Sequence, residues 1–389
     1  MLKPGSNAIL QFGTSRFLQA HVDLFVSQAL ENGDAGKALG GITVVQTTAD
    51  ADRARRIAAM AGGDGYPVRI RGISDGQLID RTMTCRSVRR ALQADADWPQ
   101  LLAIAGSEAQ VMISNTADRG FQLDAIDGPS LIGSTQQVPR SFPAKLLVLL
   151  NHRWQVNPGA ALSIFPCELI ERNGDALRKL VVDLAGNWCL PDDFLDWLSD
   201  HCVWANSLVD RIVSESIEPV GAVAEPYALW AIERQAGLVL PCLHKSIVLT
   251  DDLAHYARLK LFLLNAGHTF LAELWLRDGG PADQTVAQAM SEPGLRDELE
   301  ALWAEEIVPL FDAMGQGDAA RSYLVELRER LMNPFLAHRI GDIAGNHEQK
   351  KQRRLAPLLA LAAQQNLPLP QRRLRAALAA PHCSLPTVS

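Results

Sequence analysis

The 389-residue sequence predicts an α/β domain built on a parallel sheet, followed by an all-α domain. Three observations predict it. Asn7 to Phe12 is a short apolar run ending at Gly13, and RFLQAHVDLFVSQALEN continues with apolar positions 17, 18, 25, 26 and 30 and His21 on the same face, so strand, glycine turn and helix follow one another. A second apolar strand, Ile42 to Val45, arrives about 30 residues later, the repeat of a βαβ unit. From about residue 220 the pattern turns helical, with Pro and Gly punctuation. The expected division is a Rossmann-type dinucleotide-binding domain over 1–219 and a helical substrate-binding and catalytic domain over 220–389, with a cleft between them.

The remaining elements follow in order. Val68 to Val88 alternates around Asp75-Gly76, which predicts an antiparallel hairpin inserted into the sheet. Ala109 to Ser114 and Ala161 to Phe165 read as further buried strands, each followed by polar loop residues, and such strand ends are where open α/β sheets bind ligands. Helical spacing then covers 225–236, 251–276, 282–292, 294–314, 317–332 and 335–363. The basic run KKQRR at 350–354 reads as a solvated helix face in which only the first lysine attracts interest.

Composition excludes several classes. Hydrophobic residues make up 48% and charged residues 21%, which leaves no room for wholesale disorder. Thirty-seven Lys and Arg against forty-four Asp and Glu give a net charge of −7, so no nucleic-acid partner is expected. No window approaches the roughly 20 uninterrupted apolar residues of a membrane span. The opening MLKPGSNAILQFG has no apolar signal core, and a cytoplasmic protein is expected. Six scattered cysteines without a CxxC pair read as reduced, mostly buried hydrophobes. Cys242 with His244, His201 with Cys202 and His382 with Cys383 lack zinc-site spacing, so no metal is expected.

Two segments could carry chemistry. The turn Gly13-Thr14-Ser15-Arg16-Phe17 offers one glycine where phosphate binding at a helix N-terminus favours GxGxxG. Ser15 is small enough to replace a glycine, and Arg16 could meet a phosphate. After the second strand, Gln46-Thr47-Thr48 lacks the acid that grips a ribose hydroxyl, and Asp50, Asp52 or Arg53 could substitute, so NAD and NADP both stay open. In RLKLFLLNAGHTFLAELW, at about 100° per residue, Asn265 lies about 140° and His268 about 80° round from Lys260, all on one side of a helix. Gly267 falls almost beneath Lys260 and would admit another group. Amine, amide and imidazole on one face suit carbonyl and alcohol chemistry, and equally fit a polar cluster of no chemical role.

The lysine, asparagine and histidine spacing resembles the signature of the polyol-specific long-chain dehydrogenases and reductases, the mannitol dehydrogenase family. QFGTSRFLQAHVD at 11–23, ISNTADRGF at 113–121, SFPAKL at 141–146, PCELIERNGDAL at 166–177, NSLVDRIV at 206–213, EPYALW at 225–230 and NPFLAHRIGDIAGN at 333–346 are similar to the hexuronate branch, that of the tagaturonate (altronate) and fructuronate reductases. The resemblance implies a metal-independent enzyme that exchanges hydride between NAD(H) and a keto-sugar acid, with a mannitol-type polyol as the alternative substrate and a non-catalytic sugar- or nucleotide-binding relative as the alternative role. It implies Lys260 as general acid/base, Asn265 as oxyanion donor and His268 as a substrate-hydroxyl ligand. Asp210, Glu168 and Lys350 match positions near the sugar, and Asn173 would join Glu168 at the floor of the site or cap the next helix. Asn115 and Thr116 would lie near the cofactor with Gly13, Thr14, Ser15, Arg16, Phe17 and Thr47. An acidic sugar needs a cation, for which Lys350 comes first and Arg339, His338 and Arg354 follow. Ser15 stands where the family keeps a second glycine, Leu169 where mannitol-type members place an asparagine, and Asp342 where they place an arginine. A monomer or small homo-oligomer is expected.

Overall fold

A computed structural model describes residues 7–31, 37–47, 51–116 and 120–380, with 51–54 described by backbone alone. The alternative cofactor-selecting residues Asp50, Asp52 and Arg53, and the His382–Cys383 pair, therefore lie outside the described side chains. The chain divides into two compact units. One runs to Leu253 without Arg71–Asp80 and Glu225–Tyr227, and the other holds those two segments and the chain from Ala254 onward.

In the first unit β1 (Ile9–Phe12), α1 (Arg16–Ala20), α2 (Val22–Glu31), β2 (Ile42–Gln46) and α3 (Ala51–Ala61) open a parallel sheet. Next come the inserted strands β3 (Tyr66–Ser74) and β4 (Gln77–Cys85), then β5 (Val88–Gln93), α4 (Trp98–Ser107), β6 (Val111–Ser114), α5 (Phe142–Val156), β7 (Leu162–Pro166), α6 (Asn173–Asn187), α7 (Asp192–Asp200) and β8 (Cys202–Trp204). The spatial order β5-β2-β1-β6-β7-β8, parallel throughout, is the order of dinucleotide-binding folds, and the direction of winding reverses between β1 and β6. β1, β2, β6 and β7 are buried along their whole length because helices cover both faces, which is why they read as continuous apolar runs. The hairpin turns at Asp75 and Gly76, both at positive φ (53° and 71°), as a tight two-residue turn requires.

Two corrections belong to this unit. The helix expected after Gly13 breaks at His21 (φ −118°, ψ −95°), because the imidazole is buried between Phe17 and Phe25 and bonds the Leu229 carbonyl at 3.1 Å. The segment 225–236, expected to be helical, contains a strand. β9 (Ser207–Asp210), β12 (Leu229–Glu233) and β13 (Ile247–Thr250) form a three-stranded sheet, while β10 (Val213–Ser216) and β11 (Ala222–Ala224) join β3 and β4. Trp230, Ala231 and Ile232 are all buried, and a short run buried on every side gives no periodicity to tell strand from helix.

The second unit is helical: α8 (Leu253–Leu259), α9 (Ala266–Asp278), α10 (Val286–Ser291), α11 (Pro293–Ala301), α12 (Val308–Ala313), α13 (Gly317–Leu331), α14 (Ile340–Ile343), α15 (His347–Arg354), α16 (Ala356–Gln364) and α17 (Arg372–Ala379). The stretch 335–363, expected as one helical segment, is three helices, with Asn346 at positive φ before α15. Between α8 and α9, and between α11 and α12, the chain continues as π-helix over Lys260–Asn265 and Leu302–Ile307. Arg330 on α13 forms a buried bidentate pair with Glu225 (2.9 and 3.0 Å) and lies 4.1 Å from the Tyr227 ring centroid, which fastens that short segment to the helices. No described helix is long and apolar enough to cross a membrane.

The root of the hairpin is tied to α2 by a buried carboxyl. Tyr66 donates to Asp23 at 2.6 Å and Ser87 donates to the Asp23 backbone carbonyl at 2.7 Å. Burial raises the Asp23 pKa from its usual 3.8 to about 7, with the Tyr66 bond opposing. Between these values the folded chain holds a proton that the unfolded chain has released, so stability falls as pH rises from about 4 to about 7, by a total on the order of 4 kcal/mol. Asp23→Asn is expected to flatten that part of the Tm-against-pH curve. Parallel curves for variant and wild type would remove Asp23 as the cause.

Candidate functional site

The carboxyl ends of β1, β6 and β7 are laced together by the residues that the sequence singled out. Gly13 sits at φ +117°, and a Cβ there would lie 2.5 Å from the Asn115 carbonyl oxygen, so the loops after β1 and β6 meet only because residue 13 has no side chain. The Gly13 N–H donates to the Val45 carbonyl at 3.0 Å, and the Asn115 N–H to that of Phe12 at 3.0 Å. Asn115 Nδ2 donates to the Cys167 carbonyl at 2.8 Å, and Ser15 Oγ lies 3.5 Å from Asn115 Oδ1. Ser15 is the N-cap of α1, accepting the Leu18 N–H at 3.3 Å, a task a glycine cannot perform.

Glu168 is buried and accepts from Thr116 N–H (3.0 Å), Thr116 Oγ1 (2.9 Å) and Ser114 Oγ (3.0 Å). Burial pushes its carboxyl above the usual range, and the Thr116 and Ser114 bonds pull the other way. Asn173 is saturated: Nδ2 donates to the carbonyls of Pro166, Glu168 and Ser207, and Oδ1 accepts from the N–H groups of Gly174 and Ser207. Its bonds hold the loop after β7 against β9. Thr14 is buried, Thr47 half-buried at the end of β2 and Arg16 exposed, while Phe17 stacks on His21 at 4.8 Å. Asp210 is buried at the end of β9, and with Arg211 it acts on the His21 ring.

In the helical unit Lys260 and Asn265 open and close the π-helix, and His268 follows in α9. The wheel arithmetic for an ideal α-helix does not hold there. With i→i+5 bonding, shown by the Ala266 N–H reaching the Leu261 carbonyl, residues five apart stack on neighbouring turns, so Lys260 and Asn265 come closer to one line than α geometry allows. Both are half-buried, and His268 is buried with its ring 5.0 Å from that of His338, edge to face. The group that Gly267 admits is an indole: a Cβ at 267 would lie 3.1 Å from Trp303 Cζ2.

The cations expected on this side are not equivalent. Arg354 donates to Thr269 Oγ1 (3.2 Å) and the Asn265 carbonyl (3.5 Å), which sets it against the end of the π-helix. Lys350, one turn earlier on α15, donates to the Ile343 carbonyl at 2.8 Å. Burial and then the Arg354 charge hold Lys350 below the usual lysine range, and burial, with Lys350 adding, lowers His338. Neither Lys350 nor Arg354 forms an ion pair among the described residues. Arg339 is exposed ahead of α14, its backbone bridged to Thr285. Lys351, expected in a solvated face, is buried between Glu273 (3.3 Å) and Glu348 (2.8 Å), because α15 turns its 347 and 351 side against α9. No cluster of three or more His, Cys, Asp or Glu able to hold a metal occurs among the described residues.

Residues 7–239 match the family model of the mannitol dehydrogenase Rossmann domain, and residues 252–382 that of the mannitol dehydrogenase C-terminal domain. The altronate oxidoreductase of Halalkalibacterium halodurans is 32% identical over 373 residues, covering 90% of this chain and 69% of that protein. That of Bacillus subtilis is 31% identical over 389 residues, covering 94% and 77%. Among solved structures, substrate-free D-sorbitol dehydrogenase superposes with a TM-score of 0.75 at 18% identity, covering 93% of this chain and 77% of that one. The ternary complex of Pseudomonas fluorescens mannitol 2-dehydrogenase with NAD and D-mannitol gives 0.71 at 18% identity, covering 96% and 78%.

Proposed function

The chain belongs to the mannitol dehydrogenase family, and we propose that it interconverts a keto-hexuronate and the corresponding aldonate. It is an oxidoreductase of the sugar-acid and polyol class that uses a nicotinamide cofactor. The observation that carries the choice of an acid is the pair Lys350 and Arg354. Two half-buried cations one turn apart, each charge disfavoured by burial and neither matched by a carboxylate among the described residues, stand beside the segment that bears Lys260, Asn265 and His268. Such a cluster favours an anionic ligand, because a carboxylate accepting from it relieves the repulsion between the cations. A neutral polyol does not. The altronate oxidoreductases, which act on an acid by name, support the same choice.

The strand order, the reversal between β1 and β6 and the tight loop Gly13–Ser15 fit a dinucleotide. Gly13, Thr14 and Ser15 would hold its phosphates through the backbone, with Arg16 exposed as a counter-charge and Phe17, Thr47, Asn115 and Thr116 completing that side. NAD is the proposed carrier. When bound, the nicotinamide supplies or accepts hydride at the carbonyl carbon of the sugar. The chain's residues manage the proton and the charge. Lys260 Nζ gives its proton to the carbonyl oxygen during reduction and takes it back from the alcohol during oxidation. Asn265 donates an amide N–H to the same oxygen while negative charge develops there, and the π-helix that aligns it with Lys260 serves this convergence. His268 binds a sugar hydroxyl, Lys350 and Arg354 take the carboxylate, and Asp210 accepts from another hydroxyl. Glu168 holds Thr116 and Ser114 in place for the cofactor side. Arg339 is left outside this assignment by its exposure. Proton transfer needs no metal in this scheme.

Initial rates of NADH oxidation are expected to be higher with tagaturonate or fructuronate than with fructose, and higher than with NADPH. Fructose as the better substrate would move the assignment to polyols. Lys260→Ala is expected to cut turnover by about 10²–10⁴-fold while leaving NADH affinity within a few-fold of wild type. Near-normal turnover would remove Lys260 from the chemistry.

A further inference from the structure

We infer that Trp303 is a positioning residue for Lys260 and Asn265, holding open the π-helix on which they converge. A turn closed by i→i+5 bonds displaces the regular ladder, and a carbonyl pushed out of line needs another donor. The Leu263 carbonyl, at the centre of Lys260–Asn265, receives the Trp303 indole N–H at 3.2 Å in a buried bond. It also takes the Ala266 N–H, whose main π-type bond runs to Leu261. Trp303 is itself on the second π-helix, Leu302–Ile307, and is fully buried, with Arg328 6.0 Å from its ring centroid and Arg328 fixed by a bidentate pair to Glu300 (2.7 Å each). The approach depends on Gly267. Any side chain there would meet Trp303 Cζ2 at 3.1 Å, Trp303 Nε1 at 3.4 Å and Leu299 Cδ1 at 3.5 Å.

The arrangement follows a simple logic. Ala at 267 favours helix over Gly, so the glycine costs helix stability and is retained where the indole must come close. Phe at 303 fills most of the indole volume but donates nothing to Leu263. Without that donor the regular α ladder becomes the better-paired alternative, and on it Asn265 swings away from Lys260. The inference rests on Lys260 and Asn265 acting on one carbonyl oxygen, as proposed above.

The test uses the full-length enzyme with NADH and its preferred keto-uronate, comparing wild type, Trp303→Phe, Gly267→Ala and the double variant. A displaced proton donor is expected to lower kcat about ten- to a hundredfold in each single variant, with KM for NADH unchanged and a larger solvent deuterium isotope effect on kcat. Because both changes act through one indole, the double variant should be no slower than the slower single one. The Ala266 amide, which changes its acceptor when the π-helix closes to an α ladder, should show an altered chemical shift in Trp303→Phe, a readout independent of turnover. Gly267→Ala, whose Cβ presses on the indole, should show the same rise in isotope effect with KM for NADH unchanged, which a merely structural loss would not produce. If Trp303→Phe fails to fold, Gly267→Ala carries the test alone. Wild-type kcat and isotope effect in folded Trp303→Phe, or in Gly267→Ala when the former does not fold, would overturn the inference, as would losses that multiply in the double variant. Should Lys260→Ala also keep wild-type turnover, the reading of Lys260 fails instead, so the two failures are distinguishable.

Discussion

A helix that widens to i→i+5 bonding must find donors for carbonyls that its own ladder no longer serves, and much of the helical unit is arranged to provide them. Trp303 reaches the Leu263 carbonyl at 3.2 Å, while Thr269 and Arg354 reach that of Asn265 at 3.0 and 3.5 Å. These donors come from a second π-helix, from the next turn of α9 and from α15. The positions of three elements are thus fixed by the needs of one six-residue segment. Gly267 belongs to the same constraint, since it is the opening through which the indole enters. Placing an amine and an amide on one line is therefore a property of the whole unit.

Charge is distributed on the same logic. Several architectural cations are paired with acids, Arg330 with Glu225, Lys351 with Glu273 and Glu348, Arg328 with Glu300, while the buried Lys145 and Arg153 donate to backbone carbonyls alone. Removing one partner of a pair as buried as Arg330 and Glu225 costs about 3–5 kcal/mol. Lys350 and Arg354 likewise donate to neutral carbonyl and hydroxyl acceptors, and they differ from Lys145 and Arg153 in being half-buried and one turn apart on one helix. Their neighbour on the same helix, Lys351, is among the most deeply buried of the described lysines and is paired with two acids, so acids do lie nearby.

Much of this was legible in the sequence. The apolar strands of the parallel sheet, the Asp75-Gly76 hairpin and the helical second half, expected from about residue 220 and found from 253, followed from periodicity and turn chemistry, because burial on one face or two leaves a clear pattern. Gly13, Ser15, Asn115, Thr116 and Glu168 were each singled out, and at the sheet's carboxyl edge Gly13 abuts Asn115, Ser15 is within bonding distance of Asn115, and Thr116 bonds Glu168. Other features left no signal. Trp230 to Ile232 is a strand because its neighbours are strands, which no local pattern reveals. The π-helices leave no local pattern; the one over Lys260–Asn265 takes a donor from Trp303, 40 residues away from Leu263, and an α-helical wheel drawn over it misplaces Asn265. Lys351 looked solvated because a run of basic residues hides which of them faces Glu273. Asn173 read equally as a residue of the site floor or as a helix cap, and its five bonds to backbone groups hold the loop after β7.

The most direct measurement is the ratio of kcat/KM for a keto-uronate to that for fructose, in wild type and in Lys350→Met. Methionine keeps much of the stem and deletes the charge. If the uncompensated cations on α15 read the substrate's carboxylate, the ratio should fall by about ten- to a hundredfold, the equivalent of one charge-assisted hydrogen bond, while fructose turnover changes little. An unchanged ratio would mean that Lys350 does not sense the acid, and the cluster on α15 would then need another explanation.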